Sequence, residues 1–266
     1  MMASKENQFL FQHFHTDEKV FVEKMLDRID RVQQQYSIEL TPFLNPREAE
    51  ITTSLARRAA LQVYSSSEIL QTELCRLIIA PDYYMLEEED FEIDLLEIQY
   101  ARKFNHLTHS QILGNLVNQL GIQRYLLGDI IIAEDCTQLL LDTKISQMLT
   151  QQVTKISKVP VSWRKLSFSE LVKPAEKSEV KQILTTSLRL DSVIAATYGL
   201  SRQEAAKLIE QNKVKLNHQP ISQAFQAVKL ADLISCRGYG RFKIEDDNGL
   251  TRHNKHKLMI TKIGGK

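Results

Sequence analysis

The sequence predicts an α+β fold in three parts: a helical N-terminal domain over residues 1–70, an α/β sandwich over 71–168, and a small helix–helix–strand domain over 182–266. Three observations predict it. Apolar residues recur at helical spacing through residues 1–70. The pattern then changes to short apolar runs in the order strand, strand, helix, strand, strand, helix, strand, which places helices against one sheet. A charged, proline-containing stretch at 169–184, read as a linker, separates these parts from two short helices and a strand at 187–217.

In the first part, Thr16 is placed to cap a helix whose first turn carries Asp17 and Glu18, on the side of the helix dipole that favours acids. Val22, Met25, Leu26, Ile29 and Val32 make its apolar stripe. A second helix starts with Asn45 as cap, Pro46 at the first helical position and Glu48 behind it, and continues through Ile51, Leu55 and Ala59. Arg57 and Arg58 read as a solvated face.

In the second part, Leu74–Ala80 and Phe91–Tyr100 read as strands. Thr108-His109-Ser110-Gln111 is a capping box that opens a helix through Ile112, Leu113, Leu116, Val117 and Leu120, stopped by Gly121. Tyr125–Ala133 and Gln138–Leu141 read as a hairpin across Glu134-Asp135. A helix follows through Ile145, Met148, Leu149 and Val153, then a last strand over Val159–Phe168.

In the third part, a helix opens near Arg189 and stops at Gly199, a natural left-handed cap. Ser201-Arg202-Gln203-Glu204 is a second capping box, with Ala205, Leu208 and Ile209 as the buried stripe. Asn212 can take a left-handed turn. The run Lys213-Val214-Lys215-Leu216-Asn217 then alternates with period two: Val214 and Leu216 face a core, and Lys213, Lys215 and Asn217 point away. Arg202 in a first helical turn, beside backbone N–H groups, and two lysines on one strand face make a rigid corner suited to phosphate.

Charge agrees with this placement. Residues 186–266 carry 14 Lys and Arg against seven acids, a net +7, whereas residues 1–185 carry 20 against 26, a net −6. A basic end on an acidic body points to one module that meets a polyanion. No apolar run reaches the ~18 residues of a membrane span. The first residues lack the basic start and apolar stretch of a secretory signal. Cys75, Cys136 and Cys236 are far apart and form no C-x-x-C pair, which fits a reducing cytoplasm better than a disulfide framework.

The residues Arg189-Leu190-Asp191, then Ser201, Arg202, Glu204, Ala205, Leu208 and Ile209, then Val214 and Asn217, resemble the RNA-binding module named after ribosomal protein S4. Val228-Lys229-Leu230-Ala231-Asp232-Leu233-Ile234-Ser235 resembles its closing strand. Asn212, His218 and Ala231 stand where that family has glycine. Leu44-Asn45-Pro46-Arg47-Glu48, Leu113-Gly114, Gly121-Ile122 and Leu127-Gly128-Asp129-Ile130, followed by an S4-type module, are together similar to the bacterial YlmH proteins over nearly the whole chain. The resemblance implies an RRM-like middle domain that binds RNA. The basic-glycine-aromatic start of an RNP signature is absent from Tyr125–Ala133, so base stacking on that sheet is not expected.

Catalytic readings fail on their own chemistry. There is no glycine-rich strand–helix turn, no H-I-G-H-like or K-M-S-K-S-like run, and no serine in G-x-S-x-G. Asp191 lies in an R-L-D context like that of pseudouridine synthases, but the S4-type match accounts for it. His106 with His109, and His253 with His256, lack a third ligand at metal spacing. The expectation is a cytoplasmic, monomeric, non-enzymatic protein with no cofactor and no metal. It docks on structured RNA through Arg189, Ser201, Arg202, Lys207, Lys213, Lys215, Asn217, Arg237 and Arg241. The resemblance implies ribosomal RNA, with tRNA as a further target, on the large ribosomal subunit in assembly or rescue of stalled complexes, and a link to cell-division loci. Two alternatives stay open: an RNA-modifying enzyme of pseudouridine-synthase type anchored by its S4-type domain, and a division-associated scaffold.

Overall fold

The computed structural model describes residues 14–173 and 178–263, apart from the side chains of residues 119, 120 and 178. Two compact units emerge, Val20–Ala175 and Glu176–Lys266 with Met1–Lys19. A 3-10 turn, Thr16–Glu18, leads into α1 (Lys19–Gln35). Its cap is His15 rather than Thr16: the ring Nδ1 accepts from Asp17 N at 3.3 Å, and Glu18 accepts from His15 N at 2.9 Å. The imidazole nitrogen thus takes the acceptor role assigned to the threonine hydroxyl.

After β1 (Glu39–Leu40), α2 (Pro46–Arg58) starts as its sequence requires. Asn45 Oδ1 accepts from Arg47 N and Glu48 N at 3.0 Å each. Then come β2 (Gln62–Ser65), the single turn α3 (Ser67–Leu70) and β3 (Leu77–Ala80). These strands form an antiparallel sheet in the order β1-β3-β2, with β3 buried along its length. The helical N-terminal region therefore carries a small sheet, and its central strand is one that the apolar pattern grouped with the middle part. A continuous apolar run shows that a strand is buried on both faces but not which strands flank it.

The middle region runs β4 (Ile93–Gln99), α4 (His109–Leu120), β5 (Leu127–Ile132), β6 (Thr137–Asp142), α5 (Thr143–Gln152), a small hairpin of β7 (Lys155–Ile156) and β8 (Val159–Pro160), and β9 (Ser162–Leu166). The sheet order β5-β6-β4-β9, antiparallel throughout, is the split β-α-β arrangement. The expected last strand, Val159–Phe168, is broken. Pro160 has no N–H to extend a ladder, and the chain changes partners after it, from β7 to β4.

Each face of this sheet has its own core. Leu96, Ile98, Leu139 and Leu141 pack with Ile112 and Leu116 of α4 and Leu149 of α5. On the other face, Leu95, Leu140 and Leu166 pack with Phe43, Ile78 and Phe91 from the preceding region. Gly128 permits this contact: a Cβ there would stand 2.7 Å from Phe43 Cε1 and 3.0 Å from Leu140 Cβ. Arg76 ties the two layers, 3.1 Å from Asp142, with both side chains almost wholly buried.

The second unit has one sheet, β10-β15-β14-β13-β11-β12, covered on one face by two helices. Its elements are β10 (Ser178–Thr185), α6 (Leu190–Tyr198), α7 (Arg202–Glu210), β11 (Val214–Leu216), β12 (Gln219–Pro220), β13 (Leu233–Cys236), β14 (Gly240–Leu250) and β15 (His256–Ile263). Val193, Ile194, Ala205 and Ile209 of the helices meet Val214, Leu216, Ile234, Phe242, Ile244, Leu258 and Ile260 of the strands. The linker reading fails from Ser178 onward. β10 pairs with β15 along its whole length, Ser178↔Ile263 to Thr185↔His256, and buries Ile183 and Thr185. β15, which supplies that ladder, and β14 on its other side were not read from the sequence. Residues 174–177 of the expected linker, and the side chain of Leu120 in the α4 stripe, lie outside the described part of the chain. No helix among the described residues is long and apolar enough to cross a membrane.

The three positions where S4-type modules have glycine all lie in the left-handed region: Asn212 at φ 54°, His218 at 67° and Ala231 at 67°. Asparagine tolerates this; alanine has only the steric cost. Ala231→Gly is therefore expected to stabilise the protein by about 1 kcal/mol, read as a raised urea midpoint at unchanged slope. A lowered midpoint would show that the Ala231 side chain makes a contact worth more than the strain.

Candidate nucleic-acid interface

The N-termini of α6 and α7 meet at one carboxylate. Asp191, 4 % exposed, stands in the first turn of α6. Arg189, the residue before α6, forks onto it, with Nε 3.1 Å from Oδ1 and Nη2 2.9 Å from Oδ2. Arg202, which opens α7, adds Nη2 at 3.1 Å from Oδ2. Ser192 N donates to Oδ1 at 2.8 Å. Burial raises the Asp191 pKa, but the hydrogen bonds and charges of Arg189 and Arg202 outweigh it, and the carboxyl lies below its ordinary range. The R-L-D and S-R-x-E segments are thus joined: one buried acid orients two half-exposed guanidinium groups.

The capping box that positions Arg202 forms as the residues dictate. Ser201 Oγ accepts from Glu204 N at 3.2 Å, and Glu204 accepts from Ser201 N at 2.8 Å. The amides that open α6 are occupied: Leu190 N donates to Gln226 O at 2.8 Å and Asp191 N to Ala224 O at 3.2 Å. Between these two acceptors Phe225 is 61 % exposed, an aromatic ring beside the start of α6 that the sequence reading missed. Its one signal is a large apolar residue in a loop of small and polar ones.

A second basic group lies on the sheet face opposite the core. Lys215 is paired in register with Ser235, and Ser235 with Arg241. The two cations therefore stand two strands apart, about 10 Å, while Leu216, Ile234 and Phe242 bury the other face. Arg237 N donates to Lys213 O at 2.8 Å, which brings those two residues to the same end of the sheet. Lys243 follows Arg241 on this face and pairs with Glu245 at 3.2 Å. It was missed because β14 was missed. Beyond it the strand turns acidic, with Glu245, Asp246 and Asp247, and Asp247 contacts His256 at 3.0 Å.

The remaining two candidates differ in placement. Asn217 is turned inward to its own corner: Nδ2 donates to Asp232 Oδ1 and Oδ1 accepts from Leu233 N, both at 2.8 Å. It fixes the turn after β11 to the start of β13. Lys207 is exposed on α7, five residues after Arg202 and so roughly 140° round the helix from it, on the side away from Ala205 and Ile209. The arginine pair and the sheet-face group are each assembled by the fold; Lys207 joins neither through a hydrogen bond or ion pair given by the structure.

Among the described residues no group of three or more His, Cys, Asp or Glu is gathered for a metal ion. A cleft of about 590 Å³ opens beside α1, with Arg28, Arg31 and Arg76 in its lining. Arg28 and Arg31 are each 2.8 Å from Glu39, and Arg76 is held by Asp142, so its cations are bound within the fold. In the middle region the sheet face opposite the helices, the one an RRM uses to stack bases, is filled by Phe43, Ile78 and Phe91.

Comparison with known proteins is consistent along the chain. The family model described as "YlmH, N-terminal" matches residues 17–84, that described as "Putative RNA-binding domain in YlmH" matches 87–170, and "S4 domain" matches 188–234. The chain is 33% identical over 251 residues to the "Ribosome-associated protein quality control protein P2" of Bacillus subtilis (strain 168), a match covering 94% of this chain and 97% of that protein. It is 37% identical to the solved structure of "Cell division protein ylmH from Streptococcus pneumoniae", with a TM-score of 0.55, covering 60% of this chain and 98% of that one.

Proposed function

The chain belongs to the YlmH family, and from that membership we propose that it is a ribosome-associated, non-catalytic RNA-binding protein of the cytoplasm. Its S4-type domain docks as a monomer on structured RNA of the large ribosomal subunit, rRNA with tRNA as a further contact, in assembly or in quality control of stalled complexes. The name of the Bacillus subtilis relative supports the ribosomal setting. The observation that carries the reading is the basic face of the second unit, where Lys213, Lys215, Arg237 and Arg241 lie opposite the apolar core. Such a face contacts phosphates in a fixed geometry and reads shape rather than base sequence. Arg189 and Arg202 present a second, pre-oriented pair, with Ser201 and Asn217 holding the corners, Lys207 as an outlying contact and Phe225 as a neighbouring apolar surface.

Asp191 bears on the enzyme alternative. A carboxylate bound by two arginines and a backbone amide is held in place as a structural anion, not left free to attack a base. This supports the non-catalytic reading.

The test is salt dependence. With about five to seven phosphates neutralised, binding to purified large subunits or their RNA should weaken with a log–log slope of roughly −4 to −6. Lys215→Ala and Arg241→Ala should each reduce the slope by about one unit and weaken different structured RNAs by similar factors. A slope near zero, or equal binding to the small subunit, would remove the proposal.

A further inference from the structure

Phe104 is 86 % exposed, in the middle region and outside the S4-type domain. Such exposure would be unremarkable in a loose loop, but this loop is tightly built. Phe104 N and Asn105 N both donate to Ala101 O at 3.1 Å, and Asn105 Nδ2 donates to the same oxygen at 3.1 Å. Arg102 staples the turn to the β5–β6 hairpin: its Nη2 donates to Ala133 O at 3.0 Å and to Cys136 O and Thr137 Oγ1 at 3.1 Å each, and its guanidinium lies 5.3 Å from the Tyr100 ring centre. The turn is thus fixed from both ends, and the one large apolar side chain at its tip is held out in water. That arrangement contributes nothing to the core; it pre-orders a ring for a partner.

The surroundings indicate which partner. No acidic residue occurs between Glu97 and Asp129, although the first 185 residues are acidic overall. Lys103 and His106, both exposed, flank the ring. Glu134 and Asp135 belong to the hairpin that Arg102 grips, so the cationic surface is the loop itself. An exposed ring between a lysine and an imidazole N–H donor is the chemistry that takes an unpaired base on its face and the adjoining phosphates at its sides. The sheet face on which an RRM would stack bases is covered by Phe43, Ile78 and Phe91, and among the described residues that the RNA-binding family model matches Phe104 is the most exposed aromatic, ahead of Tyr125 at 52 %.

We propose that the turn Ala101–Asn105 is a second RNA contact, in which Phe104 stacks on an unpaired nucleotide and Lys103 and His106 meet its phosphates. This site is independent of the phosphate-docking surface of the S4-type domain.

The experiment uses the full chain, with single-stranded oligouridine and a blunt RNA duplex as probes. Phe104→Ala should weaken oligouridine binding roughly ten-fold while duplex binding is unchanged. Its melting temperature should not move, because the side chain is 86 % exposed and outside the core clusters. The F104W variant should bind oligouridine and show quenched emission, over the background of Trp163 measured in the parent protein; the duplex should not quench it. Lys103→Ala should reduce the oligouridine salt slope by about one unit. Unchanged oligouridine affinity in F104A overturns the proposal, as does an equal loss for both probes, or a variant that keeps its RNA affinity but no longer binds ribosomes, which would mark a protein-docking anchor. The combined K215A/R241A variant separates the two sites. If it leaves duplex binding intact while the F104A effect persists, the S4-type reading fails and the Phe104 site stands.

Discussion

Arg76→Met is expected to lower the unfolding free energy by about 3–5 kcal/mol, the usual cost of removing one partner of a buried ion pair. Arg76 Nη1 lies 3.1 Å from Asp142 Oδ2, and the two side chains are 5% and 4% exposed. Arg76 Nε also donates to Thr41 O at 2.9 Å and Nη1 to Glu92 O at 3.0 Å. Burial lowers its pKa and the nearby carboxylates raise it again in part, but a guanidinium stays charged at any ordinary pH. Methionine fills much of the volume, so the loss comes from stranding the Asp142 charge and two carbonyls. Asp142 also caps α5, accepting from Lys144 N at 2.8 Å. The double variant R76M/D142N keeps that cap without the charge and should recover a large part of the loss. Urea denaturation of the three proteins measures this. A loss under about 1 kcal/mol in R76M would mean that apolar packing of Phe43 and Ile78 on the middle sheet, not the ion pair, holds the two layers.

Removing Arg189 and Arg202 together is expected to cost far more than the two single changes combined. Each arginine alone leaves Asp191 one cationic partner, and the Arg189 fork or the Arg202 bond persists. With both gone, a nearly buried carboxylate keeps only Ser192 N, a penalty on the order of 2–3 kcal/mol. The double-mutant cycle should therefore show strong coupling rather than additivity within about 0.5 kcal/mol. The pH dependence has a definite sign. The folded Asp191 carboxyl lies below its ordinary range, so its contribution is present above that range and is lost as pH falls through the lowered value. Asp191→Asn should remove this acid-side slope while keeping an acceptor for Ser192 N. It also releases two guanidinium groups to phosphate, so RNA affinity should rise and the salt slope steepen by about one unit. Weaker RNA binding by D191N in a protein that still melts normally would show that the carboxylate's orientation of the arginines outweighs its charge.

These two sites mark where local reading stops. The caps at Asn45, Thr108 and Ser201, and the left-handed residues Gly121, Gly199 and Asn212, are all where the residue types place them. Each depends on contacts within four positions of the chain. The alternation of Val214 and Leu216 with Lys213 and Lys215 likewise put the right side chains in the core. What failed was long-range. Ser178–Thr185 has a charged, weakly apolar composition, and only the ladder offered by β15 makes it a strand. Val159–Phe168 looks continuous, yet its two halves serve different sheets.

The sequence by itself determined the caps at Asn45, Thr108 and Ser201, the stops at Gly121 and Gly199, the strand–helix order of the middle region and the basic end of an acidic chain, and its motifs carried the resemblance to the YlmH family. The caps, the element order and the charge distribution are carried by local hydrogen bonds, by periodicity and by composition, all of which survive without a partner in space. Only the tertiary structure decided that Leu77–Ala80 is the centre of the first sheet, that the stacking face of the middle sheet is filled, that Arg189 and Arg202 share one carboxylate, and that Phe104 stands in solvent on a fixed turn. The physical reason is the same in each case. An apolar run states that it will be buried and a charge states that it needs a counter-charge or water, but which surface or which ion answers is settled by shape and geometry between segments far apart in the chain.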